Sequence, residues 1–357
     1  MKPSRPVLRW LGGKFRLAPW IISHFPEHRI YVEPFGGAGS VLLQKERSYN
    51  EIYNDLDGEL VNLFRVLRGN RAPELLEALR LTPYARAEYA AALLPCEDDV
   101  ERARRLVVRS YLAHGTGGAR IDRPTGFRTD GASGTTNVAG EWADLPDALQ
   151  AVIERMRGVN IEQRPALELL GRYAGPDTLF YLDPPYLPET RSTKSRKPGE
   201  RYHTYAFEMT EADHVELLDT CRASDAMIAL SGYPADLYVE TLAGWRCVTI
   251  DARAHRNSPR TECLWLNPAA CQRMAAGPLF EMVTACASFS PRPKPPAACS
   301  SACPTCARSA AAVASAMSRC QPAGSPIAPR TAMSMFSRTC ESRKPVPNPN
   351  RRGAGGR

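Results

Sequence analysis

The residues with the plainest chemical potential are Asp183-Pro184-Pro185-Tyr186. Adjacent prolines hold the chain extended and supply no N–H, so the carbonyls of Asp183 and Pro184 take set directions with no local amide to satisfy them. One Asp183 carboxylate oxygen and one such carbonyl can accept both hydrogens of an amino group on a planar ring. The nitrogen lone pair, otherwise delocalised into the ring, is then free to attack. Tyr186 offers a face on which the ring can stack, as enzymes acting on bases swung out of a helix require. An ordinary turn could carry the same four residues. The apolar run Thr178–Leu182 ahead of them favours chemistry, because it reads as a buried strand and sets the turn at the carboxyl edge of a sheet, where open α/β sheets bind ligands.

Two further stretches could hold a small partner for that ring. Val32-Glu33-Pro34-Phe35-Gly36-Gly37-Ala38-Gly39-Ser40 follows a short strand, and Tyr53-Asn54-Asp55 ends the next one. Glycines there let backbone approach a ligand, and an acid after the second strand can take a pair of ribose hydroxyls. Glu33, Phe35, Gly37, Gly39 and Asp55 are the candidate cofactor-binding residues of this unit. The dinucleotide fingerprint G-x-G-x-x-G is incomplete, since Leu42 stands where its third glycine belongs. A nucleoside without phosphates fits better, and S-adenosylmethionine is one. In Leu8-Arg9-Trp10-Leu11-Gly12-Gly13-Lys14 a glycine turn brings Lys14 towards ligand oxygens, and Trp10 presents an aromatic face suited to a sulfonium.

These residues need a scaffold, and the chain reads as alternating strands and helices. Strands are expected at Ile30–Glu33, Glu51–Asp55, Thr178–Leu182, Ala226–Leu230, Trp245–Ile250 and Glu262–Leu266. Helices are expected to start at Ser40–Gln44 and to run over Gly58–Leu67 and Glu211–Arg222. Such alternation implies an α/β fold with a parallel sheet and helices on both faces. Residues 68–160 interrupt it, with helical patterns at Pro73–Leu81 and Asp98–Leu112 and a polar stretch from Gly115 to Gly140. The expected organisation is a catalytic unit from residues 1–67 and 161–268, an inserted, mainly helical region at 68–160, and a tail at 269–357.

Composition separates that tail from the rest. The net charge is +8 over 357 residues, but residues 1–267 hold 34 Lys and Arg against 36 Asp and Glu. The last 90 residues hold 12 against 2. Rich in Ala, Ser, Pro, Arg and Cys, without sustained periodicity, the tail reads as disordered. Its Cys303-Pro-Thr-Cys306 has no second CxxC or His pair to complete a zinc site, so no metal is expected. Cys96, Cys221, Cys247 and Cys263 are too few and scattered for a disulfide framework, which suits a reducing, cytoplasmic location. No apolar run approaches the roughly 18 residues of a membrane span, and no apolar stretch of a secretory signal follows Met1.

The segments LRWLGGK at 8–14, VEPFGGAGS at 32–40, YNDLDGELVNLF at 53–64, LFYLDPPY at 179–186, YHTYAF at 202–207 and RNSPRTECLW at 256–265 together resemble the Dam-like, D12-class DNA adenine-N6 methyltransferases, phage-borne members included. The likeness covers about residues 5–268. It implies a Rossmann-like fold that transfers the methyl group of S-adenosylmethionine to adenine N6 in double-stranded DNA. By this resemblance Trp10, Lys14, Asp55 and Asp183 contact the cofactor, Asp183 to Tyr186 bind the target adenine, and the insertion helps to recognise the DNA sequence.

Two basic clusters are candidate DNA contacts: Arg120, Arg123 and Arg128 in the insertion, and Arg191, Lys194, Arg196, Lys197 and Arg201 just beyond Tyr186. No obligate protein partner is evident. The competing readings are a DNA-binding relative without catalysis and an amino-methyltransferase acting on cytosine N4 or on RNA. Attack at cytosine C5 would need a nucleophilic cysteine, and the Pro95-Cys96 pair lies in a polar part of the insertion. Cytosine-N4 enzymes typically carry Ser at the Asp183 position.

Overall fold

Successive residues of the strands enter two different cores. Tyr31, Tyr53, Leu179, Tyr181, Met227 and Ala229 pack into one, while Val32, Ile52, Phe180, Leu182, Ile228 and Leu230 pack into the other. A strand with both faces covered has no need of polar alternation, which is why these segments read as continuous apolar runs. The computed structural model describes residues 2–129, 137–190, 205–253 and 259–276.

Its elements in chain order are α1 (Ala18–Ile22), β1 (Ile30–Glu33), β2 (Asn50–Asn54), α2 (Gly58–Arg68), α3 (Ala72–Arg80), α4 (Arg86–Ala91), α5 (Asp99–Leu112), α6 (Val138–Ala143), α7 (Leu145–Met156), β3 (Val159–Glu162), α8 (Ala166–Arg172), β4 (Thr178–Leu182), α9 (Glu211–Arg222), β5 (Met227–Gly232), α10 (Asp236–Thr241), β6 (Arg246–Arg253), β7 (Pro259–Leu266) and α11 (Pro268–Ala275). The sheet order is β3-β2-β1-β4-β5-β7-β6. The first five strands pair in parallel. β7 runs antiparallel to both β5 and β6. The fold is that of a Rossmann-like methyltransferase, α/β as expected, and the antiparallel β7 departs from the all-parallel sheet that the alternation implied. Strand order reverses between β1 and β4, and a crevice opens beyond their carboxyl ends.

The helices start where their side chains can cap them. Asp57 accepts from the Glu59 amide at 2.9 Å to open α2, which buries Leu60, Leu63, Phe64 and Leu67 and carries Arg65 and Arg68 in its last turn. Thr210 and Asp213 form a reciprocal capping box at α9. The helix expected to start at Ser40–Gln44 is only a run of turns. The run closes through short-range bonds, the Gln44 amide donating to the Val41 carbonyl at 3.1 Å, while the Leu42 amide donates to Glu33 Oε2 at 3.0 Å.

Residues 68–160 form α3 to α7, so this region is mainly helical, and α2 packs against both α5 and α7. Its apolar residues belong to the same core as one face of the sheet. A buried ion triad ties it down further: Arg155 of α7 meets Glu51 of β2 at 2.6 and 2.8 Å, and Lys45 reaches the same carboxylate at 2.7 Å. The expected boundary at 161 cuts through β3, whose hydrogen bonds to β2 make it part of the sheet.

The change of composition at Pro268 marks a helix N-terminus and not the end of folded chain. Asn267 caps α11 through Oδ1, which accepts from the Ala270 amide at 2.9 Å. The same side chain extends β5, accepting from the Ile228 amide at 3.0 Å and donating to the Ala226 carbonyl at 2.7 Å. The remainder of the expected tail, with Cys303 and Cys306, lies outside the described residues.

Candidate active site

The carboxyl ends of β1, β2 and β4 bring three separate sequence segments to one crevice. Asn54 of β2 accepts the Gly36 amide on its carbonyl at 2.7 Å. A Cβ on Gly36 would lie 2.9 Å from that carbonyl, so the close approach admits only glycine. Gly37 and Gly39 follow with φ of 49° and 65°. Tyr53 Oη donates to the Gly37 carbonyl at 2.7 Å. The N-terminal glycine turn folds over this loop, and a Cβ on Gly37 would come within 3.3 Å of Trp10 Nε1.

The resulting cleft encloses about 910 Å³, part of it open to solvent, and is lined by Trp10, Lys14, Glu33, Phe35, Gly37, Asp55 and Asp183 among others. Of the expected cofactor residues only Gly39 does not line it; its φ and its contact with Phe64 make it part of the loop's frame. Tyr205, Phe207 and Glu208 complete the wall. The hydroxyl of Tyr205 sits where a side chain on Gly12 would have to go.

The electrostatics of the cleft favour a cation. Its lining carries the carboxyls of Glu33, Asp55, Asp57, Asp183 and Glu208 and, among the described residues, one basic side chain, Lys14. Glu33 is 2% exposed, and its Oε2 accepts from Tyr31 Oη at 2.8 Å as well as from Leu42. Burial pushes its carboxyl up to about 8 despite those two donors, and the neighbouring Asp183 adds to the rise. Asp55 is pushed up to about 6, again by burial, against the hydrogen bonds it accepts from the Asp57 amide at 2.9 Å and the Gly37 amide at 2.8 Å.

Lys14 Nζ lies 2.9 Å from Asp183 Oδ1 and donates to the Gly12 carbonyl at 3.0 Å. Burial alone would lower the Lys14 ammonium, but the Asp183 carboxylate, with Glu262 and Tyr205, more than offsets it and the net direction is up. Burial raises the Asp183 carboxyl and Lys14 opposes it. The Lys14 ammonium at 2.9 Å favours the carboxylate form of Asp183, whose side chain is 17% exposed. The approach of Lys14 lacks hydrogen-bond alignment at Oδ1, which leaves that buried oxygen an acceptor without a donor.

Tyr186 is 7% exposed, with Lys14 Nζ 4.7 Å from its ring centroid. Its hydroxyl donates to Glu262 Oε2 at 2.8 Å, and its ring meets Tyr233 edge to face with centroids 4.6 Å apart. Pro184 is buried in the turn, and Pro185 lines the cleft. Glu262 was not among the expected site residues. Its signal was a single acid opening the otherwise apolar Glu262–Leu266 strand pattern.

The basic clusters have a different fate. Arg120 pairs with Asp122 and donates to the Tyr205 carbonyl, so it meets the cleft wall instead of projecting freely. Arg128 turns towards Glu141 at 3.7 Å, and Arg123 is exposed. Arg191, Lys194, Arg196, Lys197 and Arg201 lie outside the described residues. A buried arginine that sequence reasoning passed over, Arg109, holds this loop by donating to the Ala119 and Ala92 carbonyls, both at 2.8 Å, and pairs with Glu59 at 3.2 Å. Among the described residues no cluster of His, Cys, Asp and Glu could hold a metal ion, and no helix is long and apolar enough to cross a membrane.

Known proteins share sequence with this chain. A DNA adenine methylase of Salmonella typhi is 27% identical over 224 residues, covering 60% of this chain and 75% of that protein. The DNA adenine methylases of Vibrio cholerae and Escherichia coli are each 39% identical over 80 residues, covering 22% of this chain and 28% of each relative. The family described as D12 class N6 adenine-specific DNA methyltransferase matches residues 10–238, more than half of the 357. The crevice at the β1 and β4 ends falls within that span, and the chain belongs to the D12 class of N6 adenine-specific DNA methyltransferases.

Proposed function

We propose that this DNA adenine methyltransferase draws its methyl group from S-adenosylmethionine and acts on an adenine swung out of double-stranded DNA, with Asp183, Pro184, Pro185 and Tyr186 at the reacting centre. The observation that carries the reading is Asp183: a buried carboxylate at the β4 end, paired with Lys14, with one oxygen lacking an aligned donor. The cleft suits the cofactor because its carboxyls outnumber its one described cation, which disfavours phosphates and favours a sulfonium and an ammonium. When bound, S-adenosylmethionine supplies a methyl group already activated by positive sulfur.

The chain's own residues then have separable tasks. Asp55 accepts ribose hydroxyls on the lone pairs that Gly37 and Asp57 leave free. Trp10 and Phe35 give the cleft its apolar walls. Asp183 and the Pro184 carbonyl accept the two amino hydrogens of adenine, which localises the nitrogen lone pair, and Asp183 takes up the proton that the nitrogen sheds once it has been methylated. Lys14 keeps Asp183 ionised for that purpose. Tyr186 provides the ring surface for the base. Arg123 and the basic residues 191–201 contact phosphates. On the resemblance to phage-borne members we place the protein as a phage-type DNA-modification enzyme, and its few, scattered cysteines suit the cytoplasm.

The test is direct. Duplex DNA incubated with methyl-labelled cofactor and digested to nucleosides should carry label in N6-methyladenine. Label in N4- or C5-methylcytosine, or in RNA or protein but not DNA, overturns the reading.

A further inference from the structure

Strand β7 grips the turn that follows β4 at two points. Glu262 Oε2 accepts from the Tyr186 hydroxyl at 2.8 Å in a contact shut off from water, Glu262 being 9% and Tyr186 7% exposed. Two residues earlier, Arg260 Nη1 donates to the Thr190 carbonyl at 2.7 Å and its guanidinium lies 5.1 Å from the centroid of Tyr233. Tyr233 in turn meets Tyr186 edge to face. Residues two apart on a strand share a face, so Glu262 and Arg260 act from the same side of β7 on Tyr186 and on the chain just beyond it.

We propose that Glu262 is a positioning residue for the methyl transfer: its hydrogen bond to the Tyr186 hydroxyl fixes the ring against which the target adenine is held, while Arg260 fixes the backbone leaving the turn. The inference rests on the assignment of Asp183 to Tyr186 as the base-binding turn. A stacking surface is useful only if its orientation is set before the base arrives. Tyr186 follows two prolines that restrict its backbone, and at the far end of its ring the hydroxyl donates to Glu262 at 2.8 Å, with the Asp183 carboxylate also beside it. A neutral acceptor of the same shape would serve as well, whereas a shorter side chain would not reach.

The experiment is a double-mutant cycle on DNA methylation, with kcat, KM for DNA and KM for cofactor measured for each variant. Glu262→Ala and Tyr186→Phe should each lower kcat by about tenfold, the size of one hydrogen bond to a charged group. Cofactor KM should stay within about twofold, and the double variant should be no worse than the weaker single one. Glu262→Gln should recover most of the loss and Glu262→Asp should not, which keeps the test decisive if the alanine variant fails to fold. Additive losses, or Glu262→Asp turning over like the unaltered enzyme, would overturn the proposal. Tyr186→Ala separates the two readings: full activity there removes Tyr186 from the site, while lost activity alongside indifferent Glu262 variants removes only the role of Glu262.

Discussion

One ammonium meets two groups of the Asp183–Tyr186 turn: Lys14 Nζ stands 2.9 Å from Asp183 Oδ1 and 4.7 Å from the centre of the Tyr186 ring. Lys14 comes from the N-terminal glycine turn and Asp183 from the end of β4, so the pair closes the cleft across some 170 residues of sequence. Its first effect is on protonation. Burial raises Asp183, and Lys14 is the largest influence holding it down.

Replacing Lys14 with Met should therefore push Asp183 further up. A neighbouring opposite charge moves a carboxyl by about 1–3 pH units, so the acid limb of kcat against pH should shift upward by about that much. Turnover at neutral pH should fall while turnover at high pH partly recovers. A pH–rate profile whose acid limb stays in place would show that Lys14 does not govern Asp183.

Glu33 makes a second pH-dependent prediction, on stability. Its folded-state value of about 8 lies above the ordinary 4.5 because burial penalises the charge. The folded chain thus holds this proton more tightly than the unfolded chain. The contribution is complete below the unfolded value and is lost as pH rises through about 8, at up to roughly 1.4 kcal/mol per pH unit. Glu33→Gln cannot lose a proton, so its stability should vary less between about pH 5 and about pH 8. Denaturant melts of both proteins across that range would decide it, and parallel curves would contradict the burial argument.

Asn267 predicts the extent of the folded chain. It makes three side-chain hydrogen bonds, to the Ile228 amide, the Ala226 carbonyl and the Ala270 amide. Losing them in Asn267→Ala should cost about 2–4 kcal/mol, given roughly 1 kcal/mol for each bond and more for groups left buried without partners. A chain ending at Ala276 should unfold cooperatively and methylate DNA, whereas one ending at Asn267 should be clearly less stable for lack of α11. Equal midpoints for the two would show that α11 contributes nothing.

Much of this arrangement was legible before folding, for identifiable reasons. β1 and β4 are buried on both faces, so their apolar runs stood out, and the acids at or just beyond their ends, Glu33 and Asp183, line the cleft. Contacts distant in sequence were hidden. Ser40–Gln44 has helical composition, but the chain there closes into turns. α11 looked like low-complexity chain because its stability comes from Asn267 and from packing on β5. α7 was detectable, since Leu145, Leu149, Val152 and Met156 recur at helical spacing around an N-terminal Pro146. The antiparallel β7 was also within reach: five residues, 254–258, separate it from β6, too few for a parallel crossover. That Glu262 meets Tyr186 depends on this hairpin, and no local pattern announces it.

Asp55 should matter to the cofactor more than to the fold. Its carboxylate lines the cleft while accepting the Gly37 and Asp57 amides. A hydroxyl contact to a carboxylate is worth about 1.5–3 kcal/mol, so Asp55→Ala should weaken S-adenosylmethionine binding by roughly tenfold or more. Calorimetric titration that returns an unchanged affinity would remove Asp55 from the site.

The last prediction concerns the base. Asp183→Ala deletes the acceptor for an amino hydrogen, and Asp183→Asn keeps the shape while replacing one acceptor oxygen with a donor that faces the amine. Both should nearly abolish turnover; Asp183→Asn also leaves the buried Lys14 ammonium without its counter-ion, so a denaturant melt of that variant accompanies the assay. Binding should respond to the state of the target adenine. Extrusion from a paired duplex costs a few kcal/mol, and less when the base is mismatched or unpaired, so DNA with the target adenine opposite a mismatch should bind more tightly than the matched duplex. Comparing the two duplexes by fluorescence anisotropy with Asp183→Asn measures this without turnover. Tighter binding to the matched duplex would mean that the adenine is read without leaving the helix, a geometry in which neither Asp183 nor the Tyr186 ring could reach it.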